Sequence, residues 1–152
     1  MKKFIYRSAA LVIALALFLP MSVCADEPVK ASLLPHEREY LVNQLTLCYC
    51  DVDLSARVGI CAVIFRRMAD PRYPDTAAGV IETLRNEGEF ISRGQIPDDS
   101  ARLSADAVMM AESGADPTMG ALCFRKIDRK IRGFGETEEK IKGIALGGVE
   151  FY

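Results

Sequence analysis

Residues 54–68, LSARVGICAVIFRRM, admit few folds. Leu54, Val58, Cys61, Phe65 and Met68 recur at helical spacing and make one apolar stripe, with Arg57, Arg66 and Arg67 off it. Asp53 or Ser55 can cap such a helix, because a short polar side chain there accepts from a free backbone N–H of the first turn. An amphipathic helix is stable only when its stripe is covered. Candidate partners stand on both sides. From His36 onward Tyr40, Leu41, Leu45 and Cys48 share a helical period, and the segment ADPRYPD at 69–75 turns the chain with two prolines and two aspartates. Asp75 or Thr76 then caps a short helix through Val80, Ile81 and Leu84.

A long loop, RNEGEFISRGQIPDD, covers 85–99, and loops of this length in small domains are often functional. Asp99 or Ser100 opens a further helix with Leu103, Ala107, Val108, Met110 and Ala111 on its apolar side, and Gly114 ends it before the tight turn ADPT. ALCF at 121–124 and GGVEFY at 147–152 suit short strands; the charged stretch between them carries no clear pattern. The residues therefore predict one mostly helical α+β domain over 36–152 with a small C-terminal β-sheet.

The N-terminus points outward from the cytoplasm. Lys2, Lys3 and Arg7 precede the apolar run ALVIALALFL at 10–19, Pro20 breaks it, and Val23-Cys24-Ala25 supplies small residues before Asp26. This is the layout of a signal peptide spanning 1–25, with 26–35 as a flexible lead. A lipid anchor on Cys24 is the alternative, disfavoured by the bulk of Val23. No other segment approaches the ~18–20 apolar residues of a membrane span. Cleavage removes three basic residues and no acidic one, taking the formal charge from −2 to −5. An acidic chain is a poor partner for nucleic acid, which rewards clustered Lys and Arg. The expectation is a secreted, extracytoplasmic monomer needing no cofactor.

Four cysteines remain after cleavage: Cys48, Cys50, Cys61 and Cys123. An even count in an exported chain permits disulfides. Cys48 and Cys50 are too close to bridge easily, however, and buried thiols are ordinary core residues. One Cys-x-Cys and the lone His36 lack the paired spacing of a zinc site, so no metal is expected.

Four separated motifs line up in one order: GICAVIFRRM at 59–68, DPRYPDTAAGVI at 70–81, EFISRGQI at 89–96 and SGADPTMGALCF at 113–124, with LGGVEFY closing the chain. In that order they resemble the cell wall hydrolase family of spore-cortex-lytic enzymes, the SleB type. Its members show an A-V-x-x-V-[IL]-N-R helix, a P-x-[FY]-P-x-T turn, an F…DGQI loop, a D-P-T-G-x-A-L-[YF] turn-strand and a terminal G-x-H-x-F. The resemblance covers nearly all of 36–152. It implies a lysozyme-like, lytic-transglycosylase-related fold that cleaves the glycan strands of peptidoglycan or spore cortex. Such chemistry needs a carboxyl group held protonated, which donates to the glycosidic oxygen as an oxocarbenium-like transition state forms. In a transglycosylase the same group then serves as base while the sugar's own hydroxyl closes an anhydro ring.

In the family that acid is a glutamate just after the first helix. Counting back from Arg67 without a gap, it falls on Cys48. The family's terminal histidine falls on Val149, the residue before it on Gly148, and its Asn-Pro is replaced by Arg125-Lys126. A thiol at Cys48 holds a proton at pH 7, but it is too short to reach an oxygen placed for glutamate. Asp51, Asp53 and Glu89 are the acids that could take its place, the two aspartates being also natural caps and turn formers and Glu89 a natural solvated loop charge. Nucleophilic chemistry at Cys48 lacks a base nearer than His36. Groove contacts are expected from Phe90, Gln95, Thr118 and Phe124, although both phenylalanines suit a core and Thr118 a turn. Three functions follow: a glycan-strand-cleaving enzyme, a catalytically inactive peptidoglycan-binding or regulatory domain, or a secreted interaction protein with a coincidental likeness.

Overall fold

The computed structural model describes residues 32–92, 94–127 and 143–152. The expected signal peptide, most of the lead and most of the unassigned charged stretch lie outside the described residues.

Helix α1 runs from Pro35 to Cys48, with proline at the first position, where its missing N–H costs nothing. The Glu37 carboxylate accepts from the Leu34 N–H at 3.1 Å, closing the first turn. Helix α2 spans Leu54–Ala69. Its cap is Asp53, whose Oδ1 accepts from the Ala56 N–H at 2.8 Å. Helix α3 spans Ala77–Asn86 and is capped by Thr76, which accepts from the Gly79 N–H at 3.2 Å. Helix α4 spans Ser100–Glu112.

The structure corrects the one-stripe reading of α2. Residues 56–65 are buried without a break, since α2 packs against α4, α3 and the sheet. Arg57 and Arg67, expected on a polar side, are each 1% exposed. Both guanidinium groups survive burial because their donors are met. Arg57 donates to the carbonyls of Val52 (3.2 Å), Cys50 (3.0 Å) and Ser100 (2.6 Å) and to Ser104 Oγ (2.9 Å). Arg67 donates to the Leu122 carbonyl at 2.7 Å and forks onto both Glu87 oxygens at 3.0 Å.

Those needs also correct the apolar side of α4. Ser100 and Ser104 take inward positions beside Ala107, Val108 and Ala111, while Met110 is 40% exposed. A guanidinium in the core needs oxygen from the facing helix; Ser104 supplies its hydroxyl and Ser100 its backbone carbonyl.

Three short strands form an antiparallel sheet in the order β1-β3-β2: β1 is Phe124–Lys126, β2 Ile144–Leu146 and β3 Val149–Phe151. The first strand thus begins at Phe124, later than the sequence suggested, and β2 arises in the stretch left unassigned. Gly147 and Gly148 form a hairpin turn between β2 and β3, with φ of +50° and +85°. Two positive φ values suit a two-residue hairpin, which explains the Gly-Gly pair. A Cβ on Gly147 would collide with the Asp53 carboxylate, so the hairpin sits against the cap of α2. At Gly59 a Cβ would meet Phe151 at 2.7 Å and Thr118 at 2.9 Å; the bare backbone there lets β3 and the 116–120 turn close onto α2.

Candidate active site

The end of α1 is a fixed point in the molecule. Cys48 is its last residue, and the chain then turns through 49–53 into α2. Arg57 holds that turn from inside by its bonds to the Cys50 and Val52 carbonyls. Burial lowers the Arg57 pKa, against the opposing fields of Cys50, Asp99, Asp51 and Asp53. The Cys50 thiol reaches across to the Gln95 carbonyl at 3.5 Å, joining the turn to the 87–99 loop.

A second fixed point faces it. After α3 the Gly88 N–H donates to the Arg85 carbonyl and the Glu89 N–H to the Leu84 carbonyl, at 3.1 and 2.9 Å. With Gly88 at φ +93°, this is a Schellman ending. Glu89 is therefore placed by the helix terminus rather than left on a loose loop. Phe90 follows at φ +54°, a left-handed conformation that is costly for a bulky residue. Its ring packs edge-on against Tyr49, with centroids 5.0 Å apart, and its N–H donates to the Tyr49 hydroxyl at 3.2 Å. That hydroxyl donates in turn to Glu89 Oε2 at 3.1 Å.

These residues border an open cavity of about 170 Å3 lined by Cys48, Tyr49, Gly88, Glu89, Phe90, Ile91 and Lys126. The Lys126 ammonium, from β1, pairs with the Asp51 carboxylate. Glu89 is half-buried, and loss of solvent raises its pKa above the ordinary carboxylate range. The Tyr49 hydrogen bond opposes that rise, the nearby Glu87 charge adds to it, and Lys126 opposes it. Burial pushes the Tyr49 phenol far up, so it remains a proton-bearing donor. A carboxyl biased toward its acid form at the wall of a cavity is suited to proton transfer.

The candidates from the sequence separate cleanly. Cys48, Glu89 and Phe90 line the cavity; Asp51 stands beside it, bound to Lys126. Asp53 is occupied as the α2 cap. Gln95 is exposed and takes part through its backbone carbonyl. Phe124 and Thr118 are both 3% exposed and outside the cavity lining. Phe124 packs among Tyr49, Phe90 and Phe151. Thr118 donates to Asp116 Oδ1 at 2.6 Å within its turn. His36 is exposed at the opposite end of α1 from Cys48, ~18 Å away at helical rise. No disulfide joins any two of the four cysteines described, and among the described residues no group of His, Cys, Asp and Glu could hold a metal ion.

Sequence reasoning overlooked Tyr49 and Lys126. Tyr49 carries no motif of its own, and Lys126 stood out only as part of a departure from the family pattern. The Gly88 that ends α3 was the one signal that could have placed Glu89 firmly.

Comparison with known proteins agrees with this architecture. A family model described as Cell Wall Hydrolase matches residues 53–152, beginning just past the Cys48 turn. Spore cortex-lytic enzymes from Oceanobacillus iheyensis and Halalkalibacterium halodurans are each 36% identical, over 91 and 92 residues and 58% of this chain. The chain spans only 32% and 26% of their lengths. Among solved structures, the catalytic domain of the germination-specific lytic transglycosylase SleB from Bacillus anthracis superposes with a TM-score of 0.52 at 19% identity, covering 79% of this chain and 96% of that one. The catalytic domain of Bacillus cereus SleB gives 0.51 at 21% identity, covering 82% and 94%. At such identities the likeness is one of fold.

Proposed function

The chain belongs to the cell wall hydrolase family, and from that premise we propose that it acts outside the cytoplasm on the glycan strands of peptidoglycan, by chemistry of the lytic transglycosylase class. The observation that carries this reading is the cavity at the end of α1, where a half-buried carboxyl group of raised pKa stands across from residue 48. Cleaving a glycosidic bond needs a proton donor, and the cavity holds a carboxyl group whose burial shifts it toward its acid form. The curated relatives are named spore cortex-lytic enzymes, which favours cortex glycan as the substrate. The signal-like residues 1–25 favour export.

A second reading is favoured by Cys48 itself. The sequence resemblance puts the family's acid at this position, and the thiol there is 3% exposed and shorter than glutamate. A domain that kept the fold and lost the acid would bind glycan without cutting it. Purified cell walls and spore cortex, incubated with the wild-type chain and with Cys48→Glu, distinguish the two. Release of anhydro-muropeptides by the wild type supports the enzyme. Release by Cys48→Glu alone supports the binding domain. Absence of both sedimentation with the walls and product, for either protein, would remove the peptidoglycan assignment.

A further inference from the structure

We propose that Glu89 is the proton donor of this chain, entering the cavity from the α3 side in place of an acid at residue 48, with Tyr49 as its positioning residue. The proposal rests on the glycan-strand reading above and adds the group that performs the chemistry. Four carboxylates lie around the Cys48 turn and the start of the loop, and three are committed elsewhere. Asp51 is bound through both oxygens to Lys126, Asp53 caps α2, and Glu87 is forked onto Arg67. Glu89 lines the cavity, and its hydrogen bond among the described residues comes from a neutral phenol on Oε2. That leaves Oε1 to carry a proton. The Schellman ending of α3 fixes the Glu89 backbone, and the Phe90 N–H fixes the phenol that orients its carboxyl.

The reaction balances on this one group. The Glu89 carboxyl gives its proton to the glycosidic oxygen as the bond from that oxygen to the anomeric carbon breaks. The C6 hydroxyl of the same sugar attacks the anomeric carbon, and its proton passes to the Glu89 carboxylate. The products are a 1,6-anhydro sugar end and a free hydroxyl end, and the acid is restored without water, metal or oxidant.

The charged and titratable groups facing Glu89 are Tyr49, Cys48, Glu87 and Lys126. Because the protonated form is the active one, kcat/KM falls as pH rises through the raised Glu89 pKa. Tyr49→Phe removes a hydrogen bond that favours the carboxylate, so this alkaline limb moves to higher pH. Lys126→Met moves it the same way by removing a positive charge.

The experiment measures sedimentation with purified cortex and release of anhydro-muropeptides for the wild type, Glu89→Gln, Tyr49→Phe and Lys126→Met. Glu89→Gln keeps the shape and the acceptor for Tyr49, so it is expected to fold and to sediment like the wild type. Its product release is expected to drop about a hundredfold or more, with the limb shifted upward in the other two variants. Activity of Glu89→Gln within a few-fold of wild type overturns the proposal and leaves the peptidoglycan reading standing. So does a wild type that sediments with cortex yet releases no anhydro product. A wild type that neither binds nor cleaves overturns both.

Discussion

At Glu89 a side chain's chemistry is set by where its backbone is anchored. The loop sequence NEGEF offers a carboxylate that would ordinarily sit in solvent, but the ending of α3 turns it toward Tyr49. A raised pKa has a consequence for stability. The unfolded chain ionises this residue at lower pH than the folded chain, so the fold loses stability as pH climbs from the unfolded to the folded pKa. Glu89→Gln removes that loss. Its urea midpoint, relative to wild type, is expected to rise as pH climbs past the unfolded value of about 4, and a flat difference would show that the carboxyl titrates alike in both states. Asp53 gives a simpler case. It caps α2 and holds Ser55 at 2.9 Å, so Asp53→Ala is expected to cost about 1 kcal/mol in chemical unfolding.

Helix α2 is the axis on which the other elements are hung. Its glycine and arginines do more to position the site than its apolar residues, which are interchangeable in kind. Arg57 joins the turn after Cys48 to the first residues of α4, four acceptors on one planar group. Arg57→Leu would remove one donor from each of those oxygens, so a loss of about 3 kcal/mol is expected. Hydrogen exchange should then quicken at residues 49–53 before it does in α3. Gly59 acts by absence. Gly59→Val would drive the β3 phenylalanine and Thr118 away from α2, and a lowered thermal midpoint with loss of sheet signal is expected, since backbone shifts in packed cores cost about 1–3 kcal/mol.

Across the whole molecule, ion pairs tie segments that hydrophobic contact alone would leave free to slide. Arg38 on α1 chelates Glu112 at the end of α4, and Arg66 on α2 holds Asp116 in the turn beyond α4. Arg38 and the Leu33 N–H hold Glu112 below its ordinary pKa despite partial desolvation. Burial raises Asp116, but bonds from Thr118 and the charge of Arg66 outweigh it and leave its pKa lowered. Both carboxylates therefore contribute stability that is present above their unfolded pKa near 4 and lost as pH falls through the folded value. Unfolding by urea should become easier from pH 5 to pH 3, and Asp116→Asn should make that slope shallower. An unchanged slope would assign acid sensitivity to other groups.

The order of helices, the caps of α2 and α3 to within a residue or two (Asp53 or Ser55, Asp75 or Thr76) and the turns between them were legible in the sequence, because each rests on residues within a turn or two of one another. The family was legible for the same reason, from compact motifs in fixed order. What the chain could not disclose locally were partners distant along it: Tyr49 with Glu89, 40 residues apart, and Asp51 with Lys126, 75 apart. Periodicity placed Arg57 and Arg67 on a polar face because it registers charge and not the carbonyls that three other segments bring to meet it. The strand at 144–146 likewise forms because β3 supplies its hydrogen bonds. Sequence alone therefore determined the helices and the family. Tertiary packing decided which carboxyl group faces the cavity at Cys48, since burial and the hydrogen bonds that tune an acid exist only once distant segments meet.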